Sequence, residues 1–336
     1  MLGENIKRYR ILKGISLRKF GELADLSQTA IAKYEQNALK PDGEKLIKFA
    51  EILGCKVVDL LKENSNKRNL NLNFRKRKSL AGHKLELLKQ IINDRVNNYL
   101  DVLELNAIAP KKIKKYKVSS IMEAELAAET FRKDHQINYM IPLGNLCAII
   151  ENLNISVIVI NNDDNQFDGF DGVSEIVNGF PFICISSCLN YYRQRFNLAH
   201  ELGHLLLEIE DKENEEKICD AFASSLLLPK RALIWECGEK RYCISDREYK
   251  IIREEYKVSI KTIITALEKY NVITSNSAKL AYINYNKKYK NEEYNNLDQL
   301  YELPRMYEQL VLRLSAQNVI SQSRFNELME GYIINE

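Results

Sequence analysis

The chain has 336 residues, enough for two or three domains with cores of their own, and its 45 % hydrophobic and 28 % charged residues match a soluble globular protein. No run approaches the ~18–20 consecutive apolar residues of a membrane span, and MLGENIKRYR lacks the apolar core of a secretory signal, which points to a cytoplasmic protein. Net charge is only +3, yet residues 1–79 hold 18 Lys and Arg against 9 Asp and Glu, so the positive field sits at one end and suits a polyanion-binding N-terminal part.

Apolar residues recur at Ile6, Ile11, Leu12 and Ile15 and again at Leu17, Phe20, Leu23 and Ala24, with Lys13-Gly14 as the first stop. Continued to Leu61, this spacing predicts five short helices. Ser16 is placed to cap the second, SLRKFGELA, and Ser27 the third, SQTAIAKYEQN, across the tight turn Asp25-Leu26-Ser27. Gly21 lets these two helices approach closely, and Leu26 and Ile31 lock their crossing. Such an arrangement is a helix-turn-helix. The stretch LRKFGELADLSQTAIAKYEQNALKPDGEKLIKFAEILGCKVVDLL, Glu35 and Pro41 included, resembles the Xre-type, lambda-repressor-like DNA-binding domain. Asp25 stands where that family usually has Gly, but Asp tolerates the left-handed conformation better than most residues. The resemblance implies a homodimer on a two-fold operator in double-stranded DNA, with the third helix in the major groove and Gln28, Thr29, Lys33 and Asn37 facing the DNA. Gln28 is suited to an adenine edge, Thr29 to a thymine methyl or a phosphate, and Lys33 to guanine or backbone.

From Glu63 the composition turns polar and Asn-rich, ending in the cluster Arg75, Lys76, Arg77 and Lys78. This linker, 63–82, either clamps phosphates beside the helix-turn-helix, solubilises the start of a helix, or belongs to the docking surface of the next domain. Residues 83–105 read as a long amphipathic helix, MEAELAAETFRKDH and PLGNLCAIIENLN as two more, ISVIVI as a buried strand, and GVSEIVN-GF-PFICISS as a hairpin. Helices followed by a small sheet indicate an α+β domain.

The next segment, FNLAHELGHLLLE (196–208), holds His200, Glu201 and His204 as H-E-x-x-H on a helix that Asn190 is placed to cap. Residues four apart share a helix face, so both imidazoles can offer a nitrogen to one metal while Glu201 projects beside them. Seven scattered cysteines form no disulfide framework, and Cys184 and Cys188 lie in a strand pattern that favours packing over metal. His83 and His135 lie far upstream in charged helices, which leaves a carboxylate as the economical third ligand of a zinc ion. Glu216 and Asp220, four apart in NEEKICDAFASSLLLP, resemble the gluzincin arrangement, which implies Glu216 as the third ligand and Asp220 as acceptor of the His200 ring proton. Glu215 competes for the ligand role but sits ~100° round the helix.

The wider run RQRFNLAHELGHLLLE…EEKICDAFASSLLLP, from the upstream FDGFDG to Pro229, resembles the ImmA/IrrE family of zinc metallopeptidases, with Cys219 where that family usually has Ala. That thiol either touches the metal or fills space. The resemblance implies one zinc per chain, with Glu201 as the base that activates water for attack on a peptide carbonyl. An additional oxyanion donor is expected; Tyr191, Tyr192 and Arg195 are close in sequence. Beyond Pro229 the chain reads as helical to its end, and Ser259–Val272 has the spacing of a second helix-turn-helix on a surface of low basicity.

Together these readings predict a mainly α, α+β chain. A five-helix DNA-binding domain spans 1–62, a gluzincin-like HExxH domain 83–230 with its core over 120–230, and a helical C-terminal interaction region 231–336. The expected function is a transcriptional regulator with a zinc endopeptidase that cleaves a repressor or partner toxin. The competing reading is a DNA-binding antitoxin or sensor whose zinc site does not hydrolyse.

Overall fold

The computed structural model describes residues 2–62, 82–162, 166–187, 189–288, 302–330 and 332. The basic cluster at 75–78 and Cys188 lie outside the described residues. One compact unit comprises the described residues up to Asp101 with 166–169, and a second those from Val102 to 162 with those from Phe170 onward. Among the described residues no helix is long and apolar enough to cross a membrane.

The first unit opens with the five expected helices: α1 (Leu2–Leu12), α2 (Leu17–Ala24), α3 (Gln28–Glu35), α4 (Gly43–Leu53) and α5 (Val57–Leu61). Ser16 Oγ accepts from the Lys19 N–H and Ser27 Oγ from the Ala30 N–H, each at 3.1 Å, so both predicted serines cap their helices. Between them Asp25 takes the left-handed conformation at φ 58°, ψ 41°. Gly21 is required by the crossing, because a methyl group there would lie 2.6 Å from the Leu26 carbonyl oxygen. The core holds Ile6, Phe20, Ile31, Phe49, Leu53 and Leu60, with the Tyr34 ring edge-on to Phe49 at 5.5 Å. One polar pair is buried among them: Arg10 Nε and Nη2 donate to the two carboxylate oxygens of Glu35 at 2.5 and 3.1 Å, tying α1 to the last turn of α3. α6 (His83–Leu105) follows as the long helix that the periodicity predicts.

In the second unit, β1 (Tyr116–Val118), α7 (Ile121–Asp134) and α8 (Leu146–Asn152) lead into a three-stranded sheet of order β2-β4-β3. β2 (Ser156–Ile160) runs parallel to β4 (Phe180–Ser186), and β3 (Gly172–Val177) pairs antiparallel with β4 through the Asn178-Gly179 turn. Both turn residues have positive φ, 51° and 84°, as a two-residue hairpin of right-handed twist demands. α9 (Tyr191–Leu206) packs on β3 and β4, and passes directly into β5 (Leu207–Ile209), which pairs in parallel with β1. α10 (Glu215–Leu227) fills the space between α9 and α7. The two-stranded β1-β5 sheet is absent from the sequence reading, because strands of three residues carry too little periodicity to separate from loop.

Helices α11 (Lys230–Cys237), α12 (Asp246–Tyr256), α13 (Ile260–Lys269) and α14 (Ser275–Lys288) continue the same core, which includes Tyr249, Tyr256, Ile263 and Leu267. Between α12 and α13, Lys257 is left-handed at φ 55° and Ser259 caps α13. This repeats the α2-α3 turn chemistry and matches the helix-turn-helix spacing read from the sequence. The last helices are α15 (Met306–Ala316) and α16 (Gln322–Met329). Glu302, which precedes them, is buried and accepts from the Leu146 N–H at 2.6 Å, the Tyr191 hydroxyl at 3.1 Å and the Arg195 guanidinium. The chain beyond 301 is thereby tied to the first turns of α8 and α9.

Removing one member of a buried ion pair strands the other. Glu35→Ala is expected to cost about 3–5 kcal/mol in urea unfolding of the N-terminal unit, a large part of the stability of a domain this small. Arg18→Ala, which removes an exposed pair with Glu22 on α2, serves as control and is expected to leave the midpoint unchanged.

Candidate metal centre and nucleic-acid interface

Asn190 Oδ1 accepts from the Arg193 N–H at 2.9 Å and starts α9 as expected. One helical turn then separates His200 from His204, and their Nε2 atoms face each other at 3.0 Å. Glu216 reaches across from α10, with Oε2 3.3 Å from His200 Nε2 and Oε1 3.5 Å from His204 Nε2. A tetrahedral zinc with donors at about 2.0–2.1 Å requires donor–donor separations of about 3.3–3.4 Å. The two imidazole nitrogens at 3.0 Å, each with a different Glu216 oxygen 3.3 or 3.5 Å away, lie near that value, and two imidazoles with a carboxylate are the right donor types. These residues fit zinc in chemistry and in spacing. Among the described residues they form the one group of at least three His, Cys, Asp or Glu side chains placed to hold a metal.

Exposure is graded across the cluster. The His200 side chain is only 9 % exposed whereas that of Glu216 is 56 % exposed, so the site is walled by protein on one side and meets solvent on the other. Asp220 Oδ1 lies 2.8 Å from His200 Nδ1, one helical turn beyond Glu216 on α10. Burial disfavours the imidazolium of His200, but hydrogen bonds to Asp220 and Glu216 and the charges of Glu201 and Asp220 outweigh it, raising the pKa to about 9. A cation held at Nε2 would take the place of the proton on that nitrogen and leave the one that faces Asp220. Glu215, the rival third ligand, reaches the other ring nitrogen instead: its Oε1 is 3.6 Å from His204 Nδ1.

Glu201 is buried on the sheet side of α9, where Ser174 Oγ donates to its Oε2 at 2.7 Å. Gly172, two residues earlier on the same face of β3, admits this packing. A methyl group there would come within 3.2 Å of both Glu201 Cγ and the Cys184 carbonyl oxygen. Sequence reasoning missed both residues. The available signal was the small pair Gly172 and Ser174 on one face of a strand otherwise rich in larger side chains. Tyr191 and Arg195, considered as oxyanion donors, are engaged elsewhere: both hydrogen-bond Glu302, and Arg195 also donates to the Leu143 and Gly144 carbonyl oxygens at 3.0 Å. Tyr192 is buried with the Arg253 guanidinium 5.9 Å from its ring centroid. His135 ends α7 against the ring of Phe131, its ring centroid 4.4 Å away, and takes no part in the donor cluster.

On the N-terminal unit, Gln28, Thr29 and Lys33 are all exposed on α3, where successive turns place 29 and 33 on one face. Asn37 lies past the helix end at φ 59°, and its Oδ1 accepts from the Gly3 N–H at 2.7 Å. That bond fixes α1 to the end of α3, a structural duty that sequence spacing did not reveal.

Residues 6–60 match the family model described as helix-turn-helix, and residues 150–268 match the peptidase M78 model described as the IrrE N-terminal-like domain. No curated protein matches the chain. The chain thus carries a helix-turn-helix domain followed by an IrrE-like peptidase domain, and the second match runs past Pro229 into α13.

Purified protein is expected to hold about one zinc per chain by elemental analysis. His204→Ala or Glu216→Ala should weaken zinc binding beyond the roughly 10–100-fold cost of losing an outer hydrogen-bond partner. Full zinc occupancy in Glu216→Ala would move the third-ligand role to another carboxylate.

Proposed function

With a helix-turn-helix domain and an IrrE-like peptidase domain in one chain as the premise, we propose a DNA-bound regulator that carries a zinc endopeptidase and cleaves another regulatory protein, a repressor or a partner toxin. One observation carries the enzymatic half: His200, His204 and Glu216 converge as a group placed to hold a metal, with Glu201 held on the same helix by Ser174. A closed structural zinc site has no use for a carboxylate fixed beside its ligands.

In this reading His200 and His204 offer Nε2 and Glu216 a carboxylate oxygen to the metal, which when bound supplies Lewis-acid polarisation of a carbonyl and acidifies water. Asp220 keeps the proton of His200 on Nδ1, leaving the Nε2 lone pair turned inward. Glu201 takes a proton from the attacking water and passes it to the leaving amide nitrogen. Its carboxylate is held by Ser174, so the base does not have to be oriented during the reaction. The exposed side of Glu216 is where a peptide approaches.

The DNA-binding half rests on the exposed Gln28, Thr29 and Lys33 of α3 and on the positive balance of residues 1–79. In this reading the chain sits as a dimer on a two-fold operator, and tethering is the reason both activities share one chain. Tethering raises the concentration of peptidase around any substrate bound at the same DNA.

Glu201→Gln preserves shape and removes the base. Cleavage of the substrate, found by incubating the protein with products of neighbouring genes and following zinc-dependent fragments, should fall by roughly 10²–10⁴ while zinc content and DNA binding persist. A normal regulatory response in Glu201→Gln, combined with its loss in His200→Ala, would replace the peptidase by a metal sensor. For the DNA, Gln28→Ala with Lys33→Ala should abolish discrimination between operator and random duplex at fixed salt without changing zinc content. An undiminished specificity ratio would remove α3 from the groove.

A further inference from the structure

On α10, residues four apart share a face, and the helix brings two such pairs to α9: Glu216 with Asp220, and Glu215 with Cys219. The first pair serves His200, with Glu216 at Nε2 and Asp220 at Nδ1. The second pair converges on the Nδ1 edge of His204, where Cys219 Sγ lies at 3.1 Å and Glu215 Oε1 at 3.6 Å. Cys219 is fully buried, and the helices meet closely here because Gly203 of α9 lies against it. A methyl group on Gly203 would be 3.6 Å from Cys219 Cβ and 3.2 Å from Phe222 Cδ1.

An imidazole that binds a metal through Nε2 carries its proton on Nδ1, and that N–H needs an acceptor to fix both tautomer and ring orientation. We infer that Cys219 accepts the Nδ1–H of His204, with the Glu215 carboxylate beside it favouring that proton by its charge, and that the two thereby position this ring for the metal, as Asp220 does for His200. Cys219 is then a positioning residue and not a ligand, because its sulfur sits at the ring edge opposite to the Nε2 donors. The thiol is the nearer, weaker acceptor. The carboxylate is too far for a hydrogen bond and acts through its charge. This role presupposes that the cluster takes zinc, as proposed above.

The test is zinc affinity of the full chain, by competition with a chromophoric chelator, in wild type, Cys219→Ala, Cys219→Ser, Glu215→Gln and the double variant Cys219→Ala with Glu215→Gln. Thermal unfolding of the chelator-stripped proteins is followed in parallel. Outer partners of metal-bound histidines are worth about 10–100-fold in affinity, so about a tenfold loss is expected in Cys219→Ala and Glu215→Gln and about a hundredfold loss in the double variant. Cys219→Ser, which keeps an acceptor, should bind as wild type does, and the stripped proteins should unfold at the wild-type midpoint. Glu215 lies at the partly exposed edge of the pair, so Glu215→Gln decides the matter if Cys219→Ala does not fold. Wild-type affinity in Glu215→Gln and in the double variant overturns the inference. So does a serine variant as weak as alanine, since that marks cavity filling as the thiol's role. Failure of the wild-type protein to bind zinc removes the metal reading itself, a result distinct from either.

Discussion

The packing of α9 against α10 is the constraint on which the rest of the second unit depends. Each helix presents polar side chains four residues apart, so every such pair reaches the partner helix as a unit: His200 with His204 from one side, Glu216 with Asp220 and Glu215 with Cys219 from the other. A shift of one residue in the register of either helix turns these groups by about 100° and breaks all the contacts together. Gly203 sets the depth of the approach and Phe222, fully buried beside it, sets the limit. The separations of 3.0–3.5 Å between the two Nε2 atoms and the Glu216 carboxylate follow from that depth, before any cation is considered.

Fixing two helices this closely requires that neither slide, and the surrounding structure supplies buried polar fasteners at their ends. Arg132 of α7 is fully buried and donates through Nε and Nη2 to the Leu226 carbonyl oxygen near the end of α10, at 2.9 and 2.7 Å, while Nη1 holds the Asn138 and Ile141 carbonyls. Burial lowers the pKa of this guanidinium to about 10 without discharging it near neutral pH, so it keeps its donors. At the opposite end, Glu302 collects Arg195 and Tyr191 of α9 and the first N–H of α8. Such fasteners are costly to break and rigidify the elements they join. The sheet completes the enclosure, since β3 presses Gly172 and Ser174 against Glu201.

The N-terminal unit solves a related problem at smaller scale. Its few helices bury one charged pair, Arg10 with Glu35, and one backbone clasp, Gly3 on Asn37, and both act at the end of α3. The helix that presents Gln28, Thr29 and Lys33 to solvent is therefore held at its start by the Ser27 cap and at its end by α1. A surface meant to read another molecule gains from such fixing, because less freedom is lost on binding.

Local chemistry made much of this legible in the sequence. Serine caps, a left-handed Asp25, the hairpin of β3 and β4, the 83–105 helix and the H-E-x-x-H spacing are all governed by bonds spanning a few residues, so the sequence alone determined them, along with the helix-turn-helix and the pairing of His200 with His204. The hairpin turn itself falls at Asn178-Gly179, one residue before the Gly179-Phe180 of the sequence reading. Spacing on α10 left Glu215 and Glu216 both open as donors. Only the crossing of α9 and α10 decided that Glu216 meets both Nε2 atoms while Glu215 meets Nδ1. Likewise only the fold brought Ser174 to Glu201, Cys219 to His204, Asn37 to Gly3 and Glu302 to Arg195, pairs separated by 15 to 107 positions. Hydrogen-bonding partners that far apart leave no periodic trace, because neither residue's local conformation depends on the other until the core between them has packed.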